Sequence, residues 1–404
     1  MMNVAIMGYG TIGSGVAEIL EKNKDTIAKT VGQEVALKYV LDLREFPGSP
    51  IEDKLIHDFS VVEQDQDVQI VVETMGGLNP AYPFVKACLL AGKHVATSNK
   101  ALVAAHGTEL LEIAREKEVN FFFEASVGGG IPIIRPLYRC LMGEQIEEIT
   151  GVLNGTTNFI LTKMDKDGWS FDAALKEAQH LGYAERNPEA DVEGHDTCRK
   201  IAILTAMATG KEVNYEDIYT EGITQITDVD FLYADKIGMS IKLVGASRIA
   251  ADGMVSAYVV PLMITKEHPL YMVSDVFNGI LVKGNMLGTS MYYGSGAGKL
   301  PTASAVVADI IDAAKHVSRN VKMGWTAQKQ EIAPMGANQF RYFIRVAGAP
   351  EERIAELMAF GPREVITLAK LDEFAIISRP MLEAEFKEEA AKIDGILKVI
   401  RTEL

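Results

Sequence analysis

Asn3–Met7 is a short apolar strand that runs directly into GYGTIGSG, residues 8–15, and no other stretch constrains the fold as tightly. The glycines fall as Gly8-x-Gly10-x-x-Gly13, and Val16–Leu20 carries on as an amphipathic helix. Strand, tight turn and helix in that order form a dinucleotide-binding fingerprint. Gly8 permits the turn, Gly10 lets main chain approach a pyrophosphate, and Gly13 lets helix and strand pack closely. The phosphates then rest on the helix N-terminus, at Thr11 and Ile12, where free N–H groups and the helix dipole favour anions.

The next hundred residues repeat the alternation. Ala36–Leu41 reads as a second strand, ending in Asp42 with Arg44 close behind. An acid there holds a ribose 2′-hydroxyl and selects NAD, whereas a nearby arginine accommodates the 2′-phosphate of NADP. Both residues are present, so the choice between NADP and NAD stays open. Val68–Glu73 is a third strand leading into Thr74-Met-Gly-Gly, and Asn79-Pro80 opens a helix to about Leu90. Lys93–Thr97 is a fourth strand, followed by Ser98-Asn99-Lys100, a helix to about Lys117 and a strand over Val119–Ala125. Strand–helix alternation predicts a parallel, doubly wound α/β sheet, whose ligands bind beyond the carboxyl ends of the strands. Thr74, Thr97, Ser98 and Lys100 all sit at such ends and are candidates for the nicotinamide side. Lys100 reads equally as a solvated lysine at a helix start, although the dipole disfavours a cation there.

Glu124-Ala-Ser-Val-Gly-Gly-Gly-Ile-Pro132 leaves this sheet through three consecutive glycines, either to aim bare main chain at a ligand or to serve as a hinge. A helix over Ile133–Leu141 and a strand over Ile146–Leu153 are expected next. Asn154-Gly-Thr-Thr-Asn158 then turns into a helix, with Thr156 and Asn158 as ligand contacts or as caps. A capped helix, Ser170–Leu181, delivers the chain into GYAERNPEADVEGHDTCRK, residues 182–200. Within it Asp196 and Lys200 stand four apart, so on a helix they share one face. That pair is either a proton donor held by a carboxylate or an ordinary ion pair on a solvated surface. Ala-Asp-Gly at 251–253 joins two long apolar segments as a hairpin, so the middle of the chain reads as a separate α+β domain. A glycine-rich loop, Tyr293–Gly298, then leads into a helix over Thr302–Val317 that would pack back on the first sheet and bring Gly298 near the cofactor.

Composition narrows the function. A length of 404 residues favours two or three domains, and a formal net charge of −15 with no offsetting basic block argues against nucleic acid or an acidic membrane as partner. Cys88, Cys140 and Cys198 are too scattered for a disulfide framework or a zinc site. No apolar run reaches the ~20 residues of a membrane helix. The expected setting is the cytoplasm and the expected partner a small molecule. Beyond residue 330, Gln339–Val346, Val365–Leu371 and Glu373–Ser378 read as strands, and Pro350–Met358 and Glu383–Ile400 as helices.

Six blocks in this order resemble the homoserine dehydrogenase family: GYGTIGSG, TSNKALVA, FEASVGGGIPII, LNGTTNFI, GYAERNPEADVEGHDTCRKIAIL and GSGAGKLPTASAVVADI. The resemblance covers roughly residues 1–320. It implies reduction of L-aspartate 4-semialdehyde to L-homoserine with NADPH or NADH, on the path to threonine, methionine and isoleucine. It implies Lys200 as the acid–base lysine, Lys100 as its assistant near the nicotinamide, and Asp196 and Asp191 in the same polar site. Glu185 would hold the substrate's amino group, and Thr156 and Tyr183 would line the pocket. The glycine run is similar to the family's structural site for a sodium-type cation, which would use Glu124 with the main chain of Val127, Gly129 and Ile131. The domains expected are a Rossmann domain over 1–130 completed by the helical segment 299–320, a substrate-binding and dimerisation domain over 131–298, and an ACT-like βαββα module over 331–404. That module lacks the usual Asp-x-Pro-Gly turn, having Ala347-Gly-Ala-Pro350 instead, which leaves feedback by threonine open. A homodimer or higher homo-oligomer is the family's habit. The alternative from another class is a regulator that senses NAD(P) without turnover.

Overall fold

The computed structural model describes every residue except Arg363 and Leu404. They form two compact units: 1–145, 202–215 and 292–330 in the first, and 146–201, 216–291 and 331–404 in the second.

The first unit is built on a six-stranded sheet in the order β3-β2-β1-β4-β5-β6. Its strands are β1 (Met2–Met7), β2 (Val35–Leu41), β3 (Leu55–Ile56), β4 (Val68–Glu73), β5 (His94–Thr97) and β6 (Phe121–Phe122). All neighbouring strands run parallel. The centre of β1 and β4 is an unbroken apolar run, Val4–Met7 and Ile70–Val72, wholly buried. Such runs replace in–out alternation because helices cover both faces of a parallel sheet. The strand order reverses between β1 and β4, the point where a doubly wound sheet opens a crevice for ligands. The helix Lys299–Lys315 returns to this unit as expected, and its Ala303, Val306, Val307 and Ile310 share a core with Val16 and Leu20. Contact is close: a Cβ built on Gly15 would lie 2.9 Å from that of Ala303.

Two expectations in this unit are corrected. The last strand is only Phe121–Phe122, because the chain turns into a short 3-10 segment at Glu124–Ser126. There the Glu124 carboxylate accepts the main-chain N–H groups of Ile133, Ile134 and Arg135 at 2.6–2.9 Å. The helix expected over Ile133–Leu141 winds as a π-turn over Pro136–Cys140, closed by Leu141 N–H on Pro136 O at 2.9 Å. Pro136 has no N–H to continue an α-helical ladder, which favours the wider turn.

The second unit is organised around a mixed sheet. Its order is Gly288–Ser295, Phe277–Gly284, Ile146–Val152, Met239–Ile249, Val255–Thr265, Ile396–Thr402, Gln339–Ala347, Glu373–Ile377 and Glu364–Thr367. The hairpin expected at 251–253 forms, pairing Met239–Ile249 with Val255–Thr265 along their full lengths. The tail differs from expectation at its end. The helix begun at Glu383 stops at Ala390, and Ile396–Thr402 is a strand. Ala391 caps the helix, Gly395 with φ +74° turns the chain beyond it, and Ile396, Val399, Ile400 and Thr402 are β-branched residues suited to a pleated surface. That strand runs parallel to Val255–Thr265 and antiparallel to Gln339–Ala347, so the tail adds to the sheet. Phe340, Tyr342, Ile344 and Phe374 accordingly share a core with Val244, Tyr258 and Val260. Beside it Arg401 clasps Glu383 through Nε–Oε2 at 2.9 Å and Nη2–Oε1 at 2.6 Å, both side chains being buried.

Candidate active site

In the second unit the chemistry gathers where the strand Ile146–Val152 ends. Asn154 caps the following helix, Gly155–Asp167, with Oδ1 accepting the Thr157 N–H at 2.8 Å. The cap is therefore Asn154, not Thr156 or Asn158. Its Nδ2 donates to Asp191 Oδ1 at 2.7 Å and to Asp196 Oδ2 at 2.9 Å, drawing two carboxylates to one amide. The helix His195–Thr209 carries Asp196 and Lys200 on one face, and Lys200 Nζ donates to Asp196 Oδ2 at 2.6 Å. It also donates to the Leu153 carbonyl at 2.7 Å.

Burial decides between the two readings of that pair. Lys200 is 8% exposed and Asp196 4%, so this is no solvated-face ion pair. Asp196 touches the lysine, and Asn154 links Asp196 to Asp191. An ammonium held between a carboxylate and a carbonyl keeps a fixed direction, as a proton donor or a stabiliser of a growing oxyanion must. Thr156 stands beside the cluster and donates to the Tyr183 carbonyl at 2.6 Å, while the Tyr183 ring meets Phe159 edge-on at 5.1 Å. Tyr183 and Glu185 are exposed, on the segment that precedes the short helix carrying Asp191.

In the first unit the fingerprint takes the geometry its glycines require. Gly8 has φ +95°, and a Cβ on Gly13 would lie 1.9 Å from the Gly8 carbonyl. A Cβ on Gly10 would meet nothing within 4 Å, leaving the space above the turn open. Gly10 caps the helix Thr11–Lys22 without a side-chain hydrogen bond, and a helix N-terminus of this kind is suited to an anion. Thr74 secures the turn by donating to the Gly8 carbonyl at 2.8 Å. Gly298, with φ +117°, caps the returning helix, and Lys299 pairs with Glu18 at 2.8 Å.

Asp42 and Arg44 form one unit rather than two competing signals. Arg44 Nε and Nη2 meet the two carboxylate oxygens at 2.9 and 2.8 Å, and the Tyr9 N–H adds a third bond at 2.7 Å. The guanidinium beside Asp42 holds its carboxyl well below the usual range. At the next strand ends Thr97 is fully buried with its hydroxyl turned onto Glu73, whereas Ser98 and Lys100 are partly exposed. Lys100 begins the helix Lys100–Glu116, whose cap is Asn99.

The Glu124 carboxylate is taken by three main-chain N–H groups and lies 3.6 Å from Arg135. Burial pushes its carboxyl above the usual range. Among the described residues no group of three or more acidic, histidine or cysteine side chains is placed to hold a metal ion. Main-chain carbonyl oxygen, which Val127, Gly129 and Ile131 each carry, is a donor type suited to a weakly held monovalent cation.

Sequence reasoning passed over two residues that the structure brings in. Asn154 was visible as part of a turn, and its cap-forming type was the available signal. Glu73 was visible only as a strand end.

Comparison with known proteins accounts for both halves. Residues 8–124 match the model of the homoserine dehydrogenase NAD binding domain, and residues 132–311 match that of homoserine dehydrogenase. The chain is similar to a homoserine dehydrogenase of Neisseria gonorrhoeae, 37% identical over 98% of this chain and 95% of that one. A second relative, from Synechocystis sp., is 43% identical over 77% of this chain and 73% of its own. Among solved structures, a homoserine dehydrogenase from Thiobacillus denitrificans superposes with TM-score 0.92 at 35% identity, covering 100% of this chain and 98% of that one. A hyperthermophilic archaeal homoserine dehydrogenase in complex with NADPH superposes with TM-score 0.65 at 28% identity, over 77% and 97%. No helix among the described residues is long and apolar enough to cross a membrane.

Proposed function

The chain belongs to the homoserine dehydrogenase family, and from that premise we propose how its residues divide the work of interconverting L-aspartate 4-semialdehyde and L-homoserine. The observation that carries the assignment is the buried cluster of Lys200, Asp196, Asn154 and the Leu153 carbonyl. The coenzyme, NADPH or NADH, supplies the hydride when bound. As the aldehyde is reduced, negative charge grows on its oxygen, and the Lys200 ammonium stabilises that charge and gives up a proton. Asp196 and Leu153 hold Lys200 in one direction throughout. Asp191 and Glu185 offer negative charge to the substrate's ammonium group, and Thr156 and Tyr183 shape the pocket around it. Gly8, Gly10, Thr11, Ile12 and Gly13 seat the pyrophosphate, and Thr74, Ser98, Lys100 and Gly298 border the coenzyme, with Lys100 a second cation near the nicotinamide.

The product is the branch-point precursor for threonine, methionine and isoleucine, which suits a cytoplasmic enzyme working as a dimer. A monovalent cation on the main-chain carbonyls of Val127, Gly129 and Ile131 would be structural, and no step of the reaction passes through it. The tail from Gln339 alternates strands with short helical segments, and we assign it an ACT-like interaction role. Sensing of NAD(P) without turnover would leave the buried lysine cluster without a purpose.

One assay tests the reading. Purified protein mixed with L-homoserine and either NADP⁺ or NAD⁺ should produce reduced nicotinamide absorbance. Absence of turnover with both would overturn it. Adding saturating L-threonine tests the tail: inhibition would give it a regulatory role.

A further inference from the structure

Glu73 is a wholly buried carboxylate at the centre of the coenzyme half-site, and no step above uses it. It is the last residue of β4, in register with Met7 of β1 and Thr97 of β5. The crevice opens between β1 and β4, and the fingerprint with Asp42 claims the β1–β2 side for the adenosine half. The ends of β4 and β5 are left for the nicotinamide half.

The hydrogen bonds of Glu73 close a ring across that side. Oε1 accepts the N–H groups of Met75 at 2.8 Å and Gly76 at 3.1 Å, and Oε2 accepts the Thr97 hydroxyl at 2.5 Å. Thr97 Oγ1 in turn accepts the Asn99 N–H at 2.9 Å. Asn99 Nδ2 donates to the Gly77 carbonyl at 2.6 Å, and its Oδ1 caps the helix that starts at Lys100. One side chain thereby ties the loop after β4 to the loop after β5.

The same bonds favour a charged carboxylate. Oε1 faces two N–H donors, and Thr97 Oγ1, which accepts from Asn99, keeps its own hydrogen for Oε2. Burial is the larger influence and pushes this carboxyl above its usual range, and the donors oppose that shift.

We propose that Glu73 is a positioning residue for the nicotinamide half of the coenzyme: its ring fixes the 74–77 and 98–100 loops, and its charge favours the cationic, oxidised form. The inference rests on the coenzyme half-site and not on the role given to Lys200. Charge complementarity in a water-poor site acts on the one coenzyme form that carries positive charge on its ring.

Calorimetric titration with NADP⁺, NADPH, NAD⁺ and NADH separates the possibilities. Binding by the unaltered protein is measured first, and its absence would overturn the half-site and Glu73 together. Glu73→Gln should raise the ratio of oxidised to reduced Kd by about tenfold, the scale of one charge-assisted hydrogen bond. Thr97→Val opens the ring and leaves the Met75 and Gly76 N–H groups on the Glu73 carboxyl, so both Kd values should rise by a similar factor, about threefold or more, at an unchanged ratio. A Glu73→Gln protein with a lower melting temperature but an unchanged ratio would overturn the proposal and leave a structural carboxylate. Should Glu73→Gln fail to fold, Glu73→Asp keeps the charge on a shorter stem and must behave like Thr97→Val; a shifted ratio there would overturn it equally.

Discussion

Lys200 Nζ lies 2.6 Å from Asp196 Oδ2, one helical turn away, with both side chains nearly excluded from water. A buried ion pair of this kind is poor evidence for stability, since desolvation offsets much of its attraction. Its value lies in direction, because the ammonium cannot swing away from the site that needs it. Replacing Lys200 with Ala should lower kcat by about 10²–10⁴-fold while coenzyme Kd stays within about threefold. Asp196→Asn keeps a hydrogen-bond partner and should cost less, about 10–100-fold. Steady-state kinetics with calorimetric binding checks both, and unchanged turnover in the alanine variant would remove Lys200 from the chemistry.

Glu185 stands outside the hydrogen-bonded cluster, on the exposed segment that follows Tyr183. A residue that reads the substrate's ammonium affects capture more than proton transfer. Glu185→Gln should therefore raise KM for L-homoserine by about tenfold, with kcat changed less than about threefold. A fall in kcat alone would reassign it.

The guanidinium of Arg44 neutralises the Asp42 carboxylate through two parallel bonds. Without it, an unpaired carboxylate would repel a 2′-phosphate and accept a 2′-hydroxyl. Arg44→Ala should lower kcat/KM for NADP⁺ relative to NAD⁺ by about tenfold or more. Equal losses with both coenzymes would place Arg44 outside the discrimination.

Lys242 is buried in the strand Met239–Ile249, donating to the Val273 carbonyl at 2.7 Å. Burial pushes its pKa down to about 8. The native state thus binds fewer protons than the unfolded chain between that value and the ordinary lysine range, and stability rises with pH across the interval. Below it both states are protonated and the cost of burying the charge is felt in full. Lys242→Met should be more stable than the unaltered protein at pH 7 by about 2 kcal/mol, and the gap should close towards pH 10. Urea titrations at the two pH values test this; a gap independent of pH contradicts it.

Arg401 and Glu383 make the opposite case. Cutting Arg401 to Met leaves buried Glu383 with the Tyr342 hydroxyl, which donates to it at 2.9 Å, and the more exposed Lys387 ammonium at 3.3 Å. The single variant should lose about 3–5 kcal/mol. Replacing both partners with apolar residues should recover most of that loss. A double variant no more stable than the single would show that the pair contributes more than charge compensation.

What was legible in the sequence was local. Gly8, Gly10 and Gly13 act on each other within one turn, so their spacing alone specifies the strand–turn–helix. Asp196 and Lys200 were visible as a pair for the same reason, four residues apart on one helix. Asn154 was harder, because Asp191 and Asp196 reach it only after the chain has passed through two further helices. Glu73 was harder still: its carboxylate looks like any strand-end acid until β5 brings Thr97 beside it. The last strand was misread because Glu383–Ala390 starts a true helix, and the apolar residues after Gly395 continue its pattern with only one breaker between.

The strand Ile396–Thr402 has a consequence for biosynthesis. Val255–Thr265 emerges from the ribosome long before its parallel neighbour, and the Gln339–Ala347 strand waits for the same late segment. The Val255–Thr265 edge that Ile396–Thr402 joins therefore stays open until that segment has been made. Contacts between segments so distant in sequence form slowly, and open edges invite pairing with other chains. Holdase protection during synthesis is the condition under which this protein should be recovered folded.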